Sequence, residues 1–107
     1  MALVLWFGYK RWNSQRVVAM LPELKRDGAM LVDVRSAGEF ASGSAPGTIN
    51  IPLTELSGRL GEIPKSSSVV LCCASGTRSG MAKLLLIKNG YKKVHNIGTW
   101  RKFLDKS

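Results

Sequence analysis

The chain has 107 residues, enough for one domain that buries about two-thirds of the surface its unfolded form exposes. Hydrophobic residues make up 45% and charged residues 21%, which excludes a disordered or fibrous protein. Sixteen Lys and Arg against seven Asp and Glu leave a net charge of +9, so the surface attracts anions. Because these cations are spread along the chain without a nucleic-acid motif, we expect no nucleic-acid partner.

The two cysteines, Cys72 and Cys73, are adjacent in the sequence. A disulfide between neighbours closes almost no loop and needs a strained ring, so a structural disulfide is not expected. Free thiols fit a reducing compartment, and we expect the domain to lie in the cytoplasm.

Residues 1–12 form an apolar segment that ends in Lys10, Arg11 and Trp12. It is too short to span a bilayer, which takes about 20 residues. Two interpretations stay open. The segment is the end of a truncated membrane anchor, with the domain facing the cytoplasm, or it is an edge strand with a flexible terminus. The domain itself is assigned to residues 13–107.

From Ser14 onward the chain alternates between helical and strand patterns. Ser14 is a predicted N-cap for a helix over 14–26, in which Pro22 is expected to cause a kink or a break. Strands are predicted over 30–35, 69–73 and 91–97, and helices over 53–63 and 79–88. This alternation predicts a doubly wound α/β domain.

Residues 69–81 combine a buried strand, a tight turn of small residues and the start of a helix. The backbone N–H groups of residues 74–79 and the positive end of the helix dipole are expected to stabilise an anion there. The same groups lower the pKa of a cysteine, so we predict that Cys73 is a nucleophilic thiolate near neutral pH.

Four segments resemble one family. CASGTRS at 73–79 fits the C-x-x-G-x-R-S active loop of rhodanese (thiosulfate sulfurtransferase) domains. Its other signatures are resembled by three segments: DVR at 33–35 with EF at 39–40, APGTINIPL at 45–53, and NIGTW at 96–100 with Phe103. One departure is the Ser44-Ala45 pair, where many members carry His-Ile.

The resemblance to a single-domain rhodanese implies a parallel sheet of about five strands with helices on both faces. It also implies that Cys73 carries a persulfide and passes its sulfur to cyanide or a thiol, with a small anion such as thiosulfate as donor and with no cofactor or metal. Arg78 is then expected to neutralise the donor, Ser75 and Thr77 to add hydroxyl donors, and Gly76 to supply an unusual backbone conformation. The whole active loop is Cys73, Ala74, Ser75, Gly76, Thr77, Arg78 and Ser79.

Asp33, Arg35 and Glu39 are predicted supporting residues. Asp33 and Arg35 follow a buried strand, whose carboxyl end is where ligands collect in parallel sheets. They either line the site or form a buried ion pair that fixes the loop from Ser36 to Phe40, and both interpretations stay open.

Two further side chains are assigned away from catalysis. His95 lies in a predicted strand and is interpreted as structural or exposed. Cys72 points to the opposite face of its strand from Cys73 and is interpreted as a small core residue. A resolving disulfide with Cys73 is the competing hypothesis for Cys72.

Two alternative functions are compatible with a loop that joins a cysteine to an arginine. Phosphatases and arsenate reductases of this architecture have five residues between them, whereas four separate Cys73 from Arg78. The shorter loop suits one sulfur atom better than a phosphate. The other alternative is a carrier or regulatory module that presents a persulfide to a partner protein.

Overall fold

A parallel sheet of four strands forms the centre of the computed structural model, which describes residues 2–104 and the side chains from residue 4 onward. The strands are β1 (Met30–Asp33), β2 (Thr48–Asn50), β3 (Val69–Cys73) and β4 (Val94–Thr99), in the order β2-β1-β3-β4. The α/β prediction is confirmed, but the expected strand count of five is wrong for the described residues. The proposed edge strand in the N-terminal segment is absent because residues 2–12 are helical.

Helices cover both faces of the sheet. They are α1 (Ala2–Arg26), α2 (Ala37–Ser42), α3 (Leu53–Leu56) and α4 (Thr77–Lys88), with 3₁₀ helices at Leu60–Glu62 and Trp100–Leu104. Successive side chains of a strand point to opposite faces, and β3 follows this rule. Val69, Leu71 and Cys73 pack in the core beneath α3 and α4, whereas Val70 and Cys72 pack in the core beneath α1.

Helix α1 begins earlier than predicted. Ser14 lies inside this helix of 25 residues and is not its N-cap. Its hydroxyl donates instead to the carbonyl of Ile97 in β4, and Asn13 Nδ2 donates to the carbonyl of Asn96 at 3.0 Å. Pro22 also lies inside the helix, which continues to Arg26. Long-range hydrogen bonds thus hold α1 against β4. Sequence analysis placed the start of this helix too late.

The described helices do not meet the requirements for crossing a bilayer. Among residues 2–104, none combines the length and the hydrophobicity needed to cross a membrane. The membrane-anchor interpretation of residues 1–12 stays a prediction.

The carboxyl ends of β1, β3 and β4 meet at one edge of the sheet. All pairs are parallel, so Asp33, Cys73 and Thr99 end their strands on the same side. A register shift between β3 and β4 pairs Leu71 with Asn96 but Cys72 with Gly98. This edge carries the predicted active loop.

Candidate active site

Cys73 is the last residue of β3, and its sulfur lies at the centre of a group of hydrogen-bond donors. The Gly76 N–H donates to Sγ at 2.9 Å, the Ser79 N–H at 3.4 Å, and the Ser79 hydroxyl lies 3.3 Å from Sγ. Ser79 lies in the first turn of α4, so the positive end of that helix faces the sulfur. The arrangement stabilises negative charge on Cys73.

The pKa values of the two cysteines are shifted in opposite directions. Burial raises the pKa of Cys73, but the Ser79 hydroxyl and the N–H groups of Ser79, Ser75 and Gly76 outweigh it and hold the pKa below the usual range. Burial raises the pKa of Cys72 far above the usual range, and the nearby charge of Asp33 adds to this effect. Of the two, only Cys73 is prepared to act as a thiolate.

Gly76 has the unusual backbone conformation that was expected at this position of the loop. Only glycine adopts this conformation easily. Its φ of 103° lies in the left-handed region. A Cβ atom at this position would come within 3.0 Å of Lys10 Cε and 3.2 Å of Gly98 Cα. In the turn that aims the Gly76 N–H at Sγ, a side chain would therefore be crowded and its backbone conformation strained.

Asn96 in β4 joins three parts of the site, a role that sequence analysis did not assign. Its Nδ2 donates to the carbonyl of Gly76 at 3.1 Å. Its Oδ1 accepts from the Ser79 hydroxyl at 2.7 Å and from the Gly98 N–H at 3.0 Å. The only sequence signal was its place in the NIGTW segment.

Asp33 and Arg35 form a buried ion pair. The Arg35 guanidinium contacts the Asp33 carboxylate at 2.8 and 3.0 Å, and both side chains are at most 5% exposed. The guanidinium also donates to the carbonyl of Gly43 at 2.7 Å and lies 4.6 Å from the centroid of a Trp100 ring. Arg35 thereby holds the segment that contains α2 against the carboxyl end of β1, which is the structural interpretation offered above.

Glu39 and Arg78 form a second, more exposed pair. Two hydrogen bonds of 2.7 and 3.0 Å join the guanidinium of Arg78 to the carboxylate of Glu39. The side-chain hydrogen bonds from Arg78, followed by the N–H of Ser36, lower the pKa of Glu39 to about 2. Arg78 thus links α4 to α2, and its charge is already paired. No pattern in the sequence predicts this contact between positions 39 residues apart.

A cavity of about 450 Å³ opens beside the loop, with Ser75 in its wall. Three cationic side chains line it, Lys10 and Arg11 from α1 and Lys102 from the last 3₁₀ helix. Ala74, Ser75 and Thr77 are exposed, so the mouth of the loop is open. Sequence analysis did not include these three cations among the site residues.

Comparison with known proteins places this geometry in a family. Residues 17–106 match the Rhodanese-like domain. This chain belongs to the rhodanese-like family. Over 105 residues it is 35% identical to the human thiosulfate:glutathione sulfurtransferase, covering 80% of this chain and 91% of that protein.

Two further comparisons agree with this assignment. A sulfurtransferase of Allochromatium vinosum is 40% identical over 68 residues, which is 64% of this chain and 64% of that relative's length. The structure of the human single-domain sulfurtransferase TSTD1 superposes with a TM-score of 0.72 at 31% identity, covering 83% of this chain and 93% of that one. The chain is thus a rhodanese-like domain with relatives that are sulfurtransferases.

His95 is the histidine of this rhodanese-like domain, and it lies away from the loop. It pairs with Val70, three strand residues before Cys73, a distance of about 10 Å along the strand. Its pKa is lowered by partial burial and by the charges of Lys83 and Arg16. Its position fits the structural interpretation.

Proposed function

We propose that this chain is a sulfurtransferase in which Cys73 takes a sulfane sulfur from thiosulfate or a persulfide donor and passes it to cyanide or a thiol. The observation that carries the proposal is the set of donors around Cys73 Sγ, with the Gly76 N–H at 2.9 Å as its shortest contact. Such fixed donors act on developing negative charge as an oxyanion hole does.

In the first step the Cys73 thiolate attacks the outer sulfur of thiosulfate. A bond forms between Sγ and that sulfur, and the sulfur–sulfur bond of thiosulfate breaks. Sulfite leaves with the bonding electron pair, and an anionic persulfide remains on Cys73. Because the thiolate is the attacking form, the step needs no general base and fits the distance of His95 from the loop.

In the second step an acceptor anion attacks the outer sulfur of the persulfide. Cyanide leaves as thiocyanate, or a thiolate leaves as a new persulfide, and the electron pair of the broken sulfur–sulfur bond restores the Cys73 thiolate. The donors from Gly76 and Ser79 already surround that atom, so the returning charge meets the same hydrogen bonds. No external oxidant or reductant is required.

The sulfur donor is proposed to approach Cys73 through the cavity beside Ser75. Thiosulfate is a dianion, and Lys10, Arg11 and Lys102 raise its local concentration there. The carboxylate of Glu39 already occupies the guanidinium of Arg78, so this side chain is proposed mainly to position the loop.

The decisive measurement is the mass of the intact protein after treatment with thiosulfate. We expect a gain of one sulfur, about 32 Da, that the Cys73→Ser variant does not show and the Cys72→Ser variant retains. An unmodified wild-type protein, or an adduct that survives in Cys73→Ser, contradicts the mechanism. Transfer rates that fall in Cys72→Ser would instead support the resolving-disulfide hypothesis.

A persulfide carrier is the second candidate. The exposure of Ala74, Ser75 and Thr77 favours it, because an open loop lets a thiol on another protein reach the persulfide. A carrier transfers sulfur to a specific protein thiol far faster than to cyanide, so competition between the two acceptors separates the candidates. A phosphatase is disfavoured by the four residues between Cys73 and Arg78.

A further inference from the structure

The first three turns of α1 carry large apolar side chains that the domain does not cover. Their exposed fractions lie between 47% and 73%. The side chains are those of Val4, Leu5, Trp6, Phe7, Tyr9 and Trp12. Each helical residue turns the chain by about 100°, so the exposed residues 4–9 project in every direction around the helix axis.

Helix α4 continues this apolar surface. Met81, Leu84 and Ile87 follow one another at intervals of three residues, a spacing that places them on one side of the helix, and they are between 49% and 70% exposed. Met81 and Leu84 line the same cavity, of about 390 Å³, as Trp6 and Tyr9 of α1. The two helices therefore present one contiguous patch, here called the α1–α4 surface.

The charged side chains that α1 carries before Glu23, and those that α4 carries, all have one sign. The sequence contains no acidic residue before Glu23 and none in Thr77–Lys88. Lys10, Arg11 and Arg16 lie on α1, and Lys83 and Lys88 lie on α4. An apolar patch with this rim is complementary to an anionic partner.

We infer that the α1–α4 surface docks on an anionic lipid bilayer. A protein groove covers one side of a helix, whereas the apolar groups at residues 4–9 project on every side and need an apolar medium that surrounds them. Trp and Tyr favour the boundary between headgroups and acyl chains, and Lys and Arg favour anionic headgroups. Residues 4–9 rise by about 8 Å along the helix axis, so the inserted segment is short compared with the hydrocarbon core of about 30 Å.

Docking in this orientation brings the active loop close to the lipid surface. Lys10 lines the α1–α4 cavity and also packs on Gly76, where an added Cβ would lie 3.0 Å from its Cε atom. Gly76 and Thr77 of the loop line that cavity together with Trp6 and Tyr9, so the loop lies directly beside the embedded turns. Donors or acceptors held at the membrane surface are within reach of Cys73.

The test is sedimentation of the chain with vesicles of phosphatidylglycerol and phosphatidylcholine in equal parts, compared with vesicles of phosphatidylcholine alone. We expect binding to the anionic vesicles to be at least about tenfold stronger. The variants Val4→Ser/Leu5→Ser and Leu84→Ser should each weaken binding by about tenfold, since each removes inserted apolar area. Ile49→Ser, which changes an exposed apolar residue on the far edge strand β2, should leave binding unchanged.

Quenching of tryptophan fluorescence by brominated lipid is the second measurement. The wild-type chain should be quenched on binding, and a Trp6→Phe/Trp12→Phe variant, which keeps the apolar character of α1 and retains Trp100, should not. Thermal midpoints like that of the wild-type chain show that each variant is folded.

No binding to anionic vesicles would overturn the inference and direct the search to an acidic protein. Binding that is equal in all variants and vanishes in salt would overturn it as attraction by net charge alone.

Discussion

Cys72 and Cys73 are neighbours in one strand, yet they belong to two different regions of the molecule. Both are almost completely buried, at 0% and 1% exposed. Cys72 points into the apolar core beneath α1, whereas Cys73 points at the N–H groups of the loop and of α4. Burial is therefore the same for both, and the face of the sheet decides which thiol is reactive.

The largest expected effect is a difference in alkylation between these two thiols. At neutral pH, iodoacetamide should modify Cys73 at least about a hundredfold faster than Cys72, because the thiolate is the reactive form and the pKa of Cys72 is raised. Mass mapping of peptides over time measures both rates. Equal rates would show that the two faces of β3 do not differ as described.

A smaller effect is expected when one donor to Cys73 is removed. Ser79→Ala deletes the hydroxyl that lies 3.3 Å from Sγ, so the pKa of Cys73 rises and less thiolate is present at any pH below it. The acid limb of the pH profile for alkylation should move to higher pH, with rates on that limb about tenfold lower. Ser75→Ala is the matched control, since it keeps the backbone N–H and should leave the profile in place. An unshifted profile in Ser79→Ala would remove the hydroxyl from the explanation.

The smallest effect is expected from the Glu39–Arg78 pair, which lies on the same side of β3 as Cys73. Glu39→Gln and Arg78→Ala should each lower kcat/KM for persulfide formation by about fivefold, and the double variant should lose no more than the larger single loss. Cys72 should stay unreactive in all three. A much larger loss in Arg78→Ala than in Glu39→Gln would assign Arg78 to the donor directly.

Local patterns in the sequence predicted the region around β3 well. An apolar run that ends in small residues and a new helical pattern defined β3, the loop and α4 to within two residues at the start of that helix. The opposite orientation of Cys72 and Cys73 followed from the alternation of side chains in a strand. These features depend on neighbours in the chain, so a sequence alone is sufficient to find them.

Contacts between distant segments were not predictable in the same way. Asn96 reaches Ser79 and Gly76 across the sheet, and Glu39 reaches Arg78 between two helices. Each depends on how elements pack, which periodicity does not report. The misplaced start of α1 has a related cause, since a short apolar run has no period that separates a strand from a helix.

The hydroxyl of Ser79 has a single proton and two acceptors within reach, Cys73 Sγ at 3.3 Å and Asn96 Oδ1 at 2.7 Å. When Cys73 is a thiolate, the proton can turn toward the sulfur. In the proposed persulfide, where the charge lies on a second sulfur, rotation about one bond returns the proton to the amide oxygen of Asn96. Asn96 Oδ1 keeps the Gly98 N–H as a donor in either case, so neither state leaves a buried group unsatisfied. Under the proposed mechanism, rotation of this one hydrogen atom is sufficient to follow each transfer of charge, because both acceptors already lie within reach.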